Sequence, residues 1–221
     1  MRINRRGLQA CVAAIGLLVC LSRPIGAQLG PRSAEEWVRT LESPTRIASL
    51  KIDETIARLR LTPGDNVADI GAGSGVFVAP LARAVYSSTR VGKVYAVDID
   101  QALLDRIEKK KDEYRLPNVM TVLGAFGDPK LPSADIDLGF INDVLHHIEN
   151  RAGYLKALAR YIRPAGRIAV IDFYPERGGH RDQPALQVTK QQTAEWMAAA
   201  GFKAIEEIDL FPDKWFVVYG R

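Results

Sequence analysis

Apolar and polar residues follow two alternating patterns along the chain, which predict strands and helices in turn. Continuous apolar runs, typical of buried strands, lie at 66–70, 93–98, 118–123, 136–142 and 167–172. Apolar residues at helical spacing predict helices between them, at 74–85, 101–114, 152–162 and 190–200. Two late runs, 202–211 and 214–219, are joined by Pro212-Asp213 and indicate a hairpin. The chain is therefore predicted to form an α/β fold with a doubly wound, mostly parallel sheet and one antiparallel strand from the hairpin.

Helices are also predicted before the first strand. Ser33 and Glu36 form a capping box that begins a short helix through Leu41. Pro44 then begins a second helix that continues through Leu59. These segments predict a helical cover over 28–62 in front of a main domain over 63–221. Within the main domain, Pro80 lies inside the predicted helix 74–85, so we expect a local kink or a missing hydrogen bond there.

The first 27 residues have the pattern of an export signal. Three arginines precede an uncharged, largely apolar run from Leu8 to Leu21, and small residues precede Gln28. A transmembrane helix needs about 20 apolar residues, so this run favours a cleaved signal peptide over a retained anchor. We expect an exported protein, periplasmic or secreted. A wrongly assigned start codon would instead make it cytoplasmic.

The distribution of charges and cysteines excludes several classes of function. Four of the 30 basic residues lie in residues 1–27, which contain no acid, so the rest of the chain has 26 basic and 26 acidic residues. A neutral body lacks the basic surface expected of a nucleic-acid-binding protein. Both cysteines, Cys11 and Cys20, are in the same leader. Disulfide scaffolds, cysteine metal sites and cysteine nucleophiles are therefore excluded for the remaining chain.

The most informative motif is a glycine-rich turn between the first strand and its helix. Gly71, Gly73 and Gly75 follow the strand, and glycines at such a turn allow a ligand to approach the backbone. The dinucleotide fingerprint has the spacing G-x-G-x-x-G, whereas the spacing here is G-x-G-x-G. Asp69 precedes the glycines, and its carboxylate would repel a pyrophosphate but attract an ammonium group.

This motif resembles that of class I S-adenosylmethionine (SAM) dependent methyltransferases of the type 11, UbiE-like small-molecule group. The resemblance implies a Rossmann-like seven-stranded sheet with SAM as cofactor. It implies that Asp69 lies near the amino-acid end of SAM, and that Asp98, which ends the second strand, accepts hydrogen bonds from the ribose hydroxyls. Ile99 would pack on the adenine.

The third strand departs from the family pattern. Ala125 occupies the position where the family carries an acid that reaches the adenine amino group. Either Asp128 replaces that acid, or a backbone group makes the contact alone. The cofactor-binding residues implied by the resemblance are Asp69, Gly71, Ala72, Gly73, Gly75, Asp98, Ile99, Asp128 and Asn142.

The fourth strand is followed by two of the three histidines of the chain, His146 and His147. One interpretation is structural, with one ring beneath the cofactor and the other bonded to backbone. A second makes either imidazole the general base of methyl transfer, and we take both as candidate catalytic residues. A third interpretation combines Asp143 with both histidines as a site for a divalent ion. Metal-dependent methyltransferases with a similar run carry an acid at the position of His146. That acid is missing here, so we assign no metal ligand.

The predicted function is methyl transfer from SAM to a small-molecule acceptor. The cover from Ser33 to Leu59 and the loop Pro175–Gln187 are expected to enclose the acceptor. No nucleic-acid partner, and no membrane contact beyond the leader, is expected. The alternatives are a SAM-fold binding module that has lost catalysis, which Ala125 and export favour, and an NAD(P)-binding oxidoreductase, which the glycine spacing and Asp69 disfavour.

Overall fold

A computed structural model describes residues 33–221, so the predicted leader at 1–27 lies outside the described part. The described chain forms one sheet with helices on both faces. The strands are β1 Val67–Ile70, β2 Val94–Asp98, β3 Val119–Leu123, β4 Ile136–Asn142, β5 Ile162–Phe173, β6 Lys203–Glu207 and β7 Lys214–Gly220. Their order is β3-β2-β1-β4-β5-β7-β6. Strand β7 runs antiparallel to β5 and β6, and the other neighbouring pairs are parallel, which confirms the predicted fold and its C-terminal hairpin.

The helices agree with the predicted order, with differences at their ends. They are α1 Ala34–Leu41, α2 Pro44–Ser49, α3 Ile52–Leu59, α4 Val78–Ala84, α5 Gln101–Glu113, α6 Arg151–Ala159 and α7 Lys190–Ala199. The capping box at Ser33 is confirmed: its hydroxyl accepts from the Glu36 backbone N–H, and the Glu36 carboxylate accepts from the Ser33 N–H. These reciprocal bonds satisfy donors that the first helical turn leaves unpaired.

The predicted second helix is wrong in one respect, because it is broken into α2 and α3. Lys51 adopts a left-handed conformation with a φ of 44° between them. The Lys51 ammonium donates to the Leu210 carbonyl at 3.0 Å, and the buried Thr55 hydroxyl donates to the Leu50 carbonyl at 3.1 Å. These contacts hold the break while Leu50 and Leu59 are buried in the same apolar cluster.

Pro80 does not cause the missing hydrogen bond that was predicted as one alternative. Helix α4 begins at Val78, so Pro80 is its third residue. The N–H groups of the first helical turn have no intrahelical partner, and proline there removes no hydrogen bond. Strand β5 also differs, since it begins at Ile162 and not at residue 167 as predicted. An irregularity in the β4–β5 pairing between Ile136 and Leu138 accommodates this extension.

The core consists of two apolar layers, one on each face of the sheet. Neighbouring strand residues such as Val67 and Ala68 belong to opposite layers, as the two-residue period of a strand requires. One layer contacts α3, α4 and α5, and the other contacts α6 and α7. Over residues 33–221, none of the helices combines the length and apolar character needed to cross a membrane.

Candidate functional site

A cavity of about 270 Å³ opens at the carboxyl ends of β1, β2 and β4. The strand order reverses between β1 and β4, because β2 and β3 lie on one side and β5 on the other. In open α/β sheets, ligands bind at such a switch point, outside the carboxyl ends of the strands. The fold therefore places this cavity where a ligand site is expected.

The glycine turn forms one wall of the cavity. Gly71 has a φ of 69° and Gly73 a φ of 56°, a left-handed region that favours glycine. Both line the cavity, as does Ala72 between them. The backbone N–H groups of Gly71 and Ala72 both donate to the Val97 carbonyl, at 2.8 and 2.9 Å, which ties the turn to β2. Gly75 does not line this cavity; it faces Ile107 of α5, so its small size serves helix packing.

Asp69 is a buried acid at the end of β1. Its side chain lines the cavity, and its Oδ2 has no hydrogen-bond partner within residues 33–221. Burial, together with the negative charge of nearby Asp98, raises the pKa of Asp69 to about 7. An unpaired carboxylate in an apolar wall is costly unless a ligand satisfies it. A cationic ligand group, such as an ammonium, fits this position.

Asp98 ends β2 and lies beside the glycine turn. Its Oδ2 accepts from the Gly73 N–H at 2.8 Å, and its Oδ1 accepts from the Asp100 N–H at 3.0 Å. Burial raises the pKa of Asp98, although these backbone bonds act in the opposite direction. Each carboxylate oxygen can accept a further hydrogen bond, so two ligand hydroxyls can be accommodated. The neighbouring Ile99 lines the cavity and is 38% exposed, as a residue packing on a ligand ring should be.

Asp128 does not reach the cavity, which corrects its predicted adenine contact. Its carboxylate accepts from the Arg160 guanidinium and from the Tyr161 hydroxyl, both at 2.8 Å. These partners hold Asp128 on the other side of the short turn that follows β3. Ala125 and Phe126 from the same turn do line the cavity, and Phe126 is 67% exposed. Phe126 was not singled out from the sequence. The available signal was an aromatic residue directly after Ala125, the position where the family carries an acid.

The end of β4 contributes two polar side chains. Asn142 lines the cavity, and its Oδ1 has no partner in the described chain. Asp143, which adopts a left-handed φ of 55°, accepts from the buried Lys214 ammonium at 2.8 Å and from Arg46 at 3.3 Å. Both donors contact Oδ2, whereas Oδ1 has no partner in the described chain. Asp143 does not belong to the group of possible metal ligands around His146 and His147 in residues 33–221.

The two adjacent histidines have different environments. His146 is 2% exposed and does not line the cavity; its Nδ1 bonds to Asp172 at 2.7 Å, and its backbone N–H donates to the same carboxylate at 3.0 Å. A catalytic role for His146 in contact with substrate is therefore corrected to a structural one. His147 lines the cavity, and its Nδ1 has no partner in the described residues. Burial, followed by the nearby His146 and His180, lowers the pKa of His147 to about 4, so the ring is neutral at pH 7.

The helical cover lines the cavity, whereas the loop Pro175–Gln187 does not. Trp37, Leu41 and Arg46 of the cover line it, as expected of a segment that encloses an acceptor. None of the residues of the loop Pro175–Gln187 lines it, contrary to the prediction. The loop instead places His180 against His146, with ring centres 4.6 Å apart. Sequence reasoning missed Arg46 and His180 because neither is near the motifs along the chain.

Comparisons with known proteins agree with this geometry. Residues 68–170 match the family model described as a methyltransferase domain. An uncharacterized methyltransferase of Mycobacterium bovis is 33% identical over 48% of this chain and 50% of its own length. The chain spans about half the length of the curated relatives it matches.

Two solved structures share the fold. A SAM-dependent methyltransferase from Aquifex aeolicus has a TM-score of 0.75 and 21% identity, covering 85% of this chain and 98% of that one. The magnesium protoporphyrin IX methyltransferase of Synechocystis, solved with bound SAM, has a TM-score of 0.60 and 20% identity, covering 85% and 83%. Residues 68–170 therefore carry a methyltransferase domain, and the fold of the chain is similar to that of SAM-dependent methyltransferases.

Proposed function

We propose that this protein transfers a methyl group from SAM to a small-molecule acceptor bound in the cavity at the switch point. The observation that carries the proposal is the buried Asp69 carboxylate, which has an oxygen without a partner in the described chain and lies beside the left-handed glycine turn. An acid there fits the ammonium group of a SAM amino-acid end and does not fit a dinucleotide pyrophosphate.

Each cofactor-facing residue has a distinct proposed task. Asp69 holds the ammonium group, and Asp98 accepts from both ribose hydroxyls. Gly71 and Gly73 let the ligand approach the backbone, and Ile99 packs on the adenine. Ala72 and Asn142 also border this part of the cavity, the latter through its unpartnered amide oxygen. Bound SAM supplies an electrophilic methyl group on a positively charged sulfur.

The acceptor is proposed to bind between the cover and the end of β4. Methyl transfer needs mainly an in-line nucleophile about 3–3.5 Å from the methyl carbon, so positioning supplies most of the acceleration. Trp37 and Leu41 exclude water from this side. His147, neutral and with Nδ1 unpartnered in the described chain, is the group that can accept the acceptor's proton. His146 acts as a positioning residue for His147 through its bond to Asp172.

Calorimetry with SAM and with NADH tests the assignment. We expect SAM to bind and NADH not to bind. Asp98→Ala should weaken SAM binding by about 1.5–3 kcal/mol, or roughly 10- to 150-fold, because charge-assisted hydrogen bonds to two hydroxyls are lost. Asp112→Ala, which removes an exposed acid of α5 outside the cavity, is the matched control and should bind SAM normally. NADH binding without SAM binding would overturn the assignment, and SAM binding without turnover on any acceptor would favour a binding module.

We also propose that the leader directs export. Support comes from the three arginines, the short apolar run and the small residues before Gln28. Fractionation of cells that carry the native gene, with N-terminal sequencing, tests this. An envelope protein that begins near Gln28 is expected, and a cytosolic protein made without signal-peptidase cleavage would contradict it.

A further inference from the structure

All three histidines of this chain lie in one cluster. The sequence contains only His146, His147 and His180, and the third is more than 30 positions from the other two. The ring centres of His146 and His147 are 4.1 Å apart, those of His146 and His180 4.6 Å, and those of His147 and His180 5.9 Å. One ring nitrogen of each residue lies within 4.8 Å of those of the other two.

This spacing is close to that of a metal centre. In a tetrahedral zinc site, imidazole nitrogens lie about 2.0–2.1 Å from the ion and hence about 3.4 Å from one another. The nitrogen–nitrogen distances in this cluster, at most 4.8 Å, exceed those of a zinc site by at most about 1.4 Å. His180 is carried by a loop and is partly exposed, so a side-chain rotation there can bring its ring closer to the two histidines that follow β4.

The partners of the ring nitrogens strengthen the argument. His146 Nδ1 is bonded to the buried Asp172 carboxylate at 2.7 Å, and His180 Nδ1 is bonded to the Gln183 amide oxygen at 2.8 Å. Both partners offer an oxygen acceptor to Nδ1, which favours the tautomer whose Nε2 lone pair can ligate a metal. Histidines that ligate metals commonly donate their other ring N–H to a carboxylate or carbonyl in this way.

The surrounding charges are mixed. The Asp172 carboxylate is 1% exposed and places a negative charge against the cluster. The Arg151 guanidinium is also close, donating to the carbonyls of Leu145 and His146 at 3.2 and 2.8 Å. Phe173 covers another side, with its ring centre 5.9 Å from that of His146.

We propose that His146, His147 and His180 form a binding site for a divalent transition metal ion of the zinc type, with Asp172 and Gln183 orienting two of the rings. Imidazole ligands suit Zn²⁺ and Co²⁺ and do not suit Mg²⁺, which prefers oxygen ligands. Three protein ligands are typical of zinc sites that keep a coordination position open. Because His147 also lines the cavity, the ion would border the proposed methyl-transfer site, and His147 would then be a ligand in the metal-bound protein and a proton acceptor only in the metal-free one.

Metal binding by the full chain, prepared without a polyhistidine tag, tests the proposal. Titration with Zn²⁺ against a chelating indicator should give one ion per chain with a dissociation constant of about 1 µM or lower. Co²⁺ should give the absorption spectrum of a four-coordinate site, and Mg²⁺ should not compete. His180→Ala should weaken Zn²⁺ binding at least 100-fold, whereas His180→Cys, which supplies another zinc ligand, should retain it.

Arg181→Ala is the matched control, because it changes an exposed neighbour of His180 in the same loop and should bind Zn²⁺ like the unchanged protein. Circular dichroism and SAM binding show that each variant is folded. If His180→Ala fails to fold, His180→Gln replaces it. Wild-type Zn²⁺ binding no tighter than that of His180→Ala or His180→Gln would overturn the proposal. Zn²⁺ binding without SAM binding would instead contradict the proposed methyl transfer and leave the metal site standing.

Discussion

The cavity has two halves that are built in different ways. The cofactor half comprises the glycine turn, Asp69 and Asp98, which lie within 30 positions on two neighbouring parallel strands. The other half consists of Arg46 of the cover and the end of β4, which Lys214 of β7 and the loop that carries His180 contact from outside the cavity. The first half depends on backbone conformation and an unsatisfied acid, whereas the second depends on buried polar contacts between distant segments. The two halves should therefore respond differently to mutation.

The largest effect is expected in the second half, at Asp172. Its carboxylate accepts from His146 Nδ1, from the His146 N–H and from the Phe173 N–H at 2.7, 3.0 and 2.8 Å. Each buried donor left unsatisfied costs about 1–3 kcal/mol, so Asp172→Ala should lower the free energy of unfolding by about 4 kcal/mol. Urea denaturation with a metal chelator present measures this. Asp182→Ala, an exposed loop acid, should change stability by less than about 0.5 kcal/mol, and an equally small change for Asp172→Ala would refute the difference between the halves.

The second-largest effect is a pH dependence of the free energy of unfolding, which we expect from Asp69 in the cofactor half. The pKa of folded Asp69 is about 7, above that of an unfolded aspartate, so the folded chain binds this proton more tightly. Its contribution to stability is therefore full below about pH 4, is lost as the pH rises to about 7 and is constant above that. Between pH 4 and 8 the ligand-free protein should lose about 3–4 kcal/mol that Asp69→Asn does not lose. Urea denaturation across this range, compared between the two proteins, measures the difference.

The same acid should release its proton when SAM binds. A ligand ammonium favours the charged carboxylate and so lowers the pKa of Asp69. Calorimetry at pH 7 in two buffers of different ionisation enthalpy should detect proton release, and the Asp69→Asn variant should release fewer protons. Equal release from both proteins would place the ammonium group elsewhere.

A smaller loss of stability is expected at the glycine turn. A Cβ on Gly71 would lie 2.5 Å from Val144 Cγ2, and the φ of 69° is strained for other residues. Left-handed strain costs about 1–2 kcal/mol, and Val144 is branched and cannot easily rotate away, so Gly71→Ala should cost about 2 kcal/mol and reduce SAM binding. Gly127→Ala is the matched control, because a Cβ there meets nothing within 4 Å. Thermal unfolding and calorimetry distinguish the two variants; normal SAM binding by Gly71→Ala would mean that the ligand does not approach this turn.

The smallest effect is expected at the contact between cover and sheet. Arg46 is 24% exposed and shares the Asp143 carboxylate with Lys214, whose side chain is 2% exposed. Since Lys214 still neutralises Asp143, Arg46→Ala should lower stability by about 1 kcal/mol or less. Arg58→Ala, an exposed arginine of α3, provides the comparison and should have no measurable effect. A loss of several kcal/mol for Arg46→Ala would show that the cover is an integral part of the core.

Much of the fold could be predicted because its signals are local. Strand β4 has the predicted bounds, and the capping box at Ser33 forms as predicted, since periodicity and caps depend on residues close together in sequence. Local signals did not predict the break at Lys51, which is held by a contact with Leu210 far along the chain. They also misjudged Pro80, because its effect depends on where the helix begins.

The sequence alone indicated the resemblance to SAM-dependent methyltransferases, the order of strands and helices, and the residues of the glycine turn, because all of these follow from short segments. The tertiary structure decided which side chains meet. It removed Asp128 from the cavity by pairing it with Arg160 and Tyr161, and it brought His180 to His146 and His147. Contacts between distant segments depend on how the elements pack, and residue spacing along the chain carries little information about that packing.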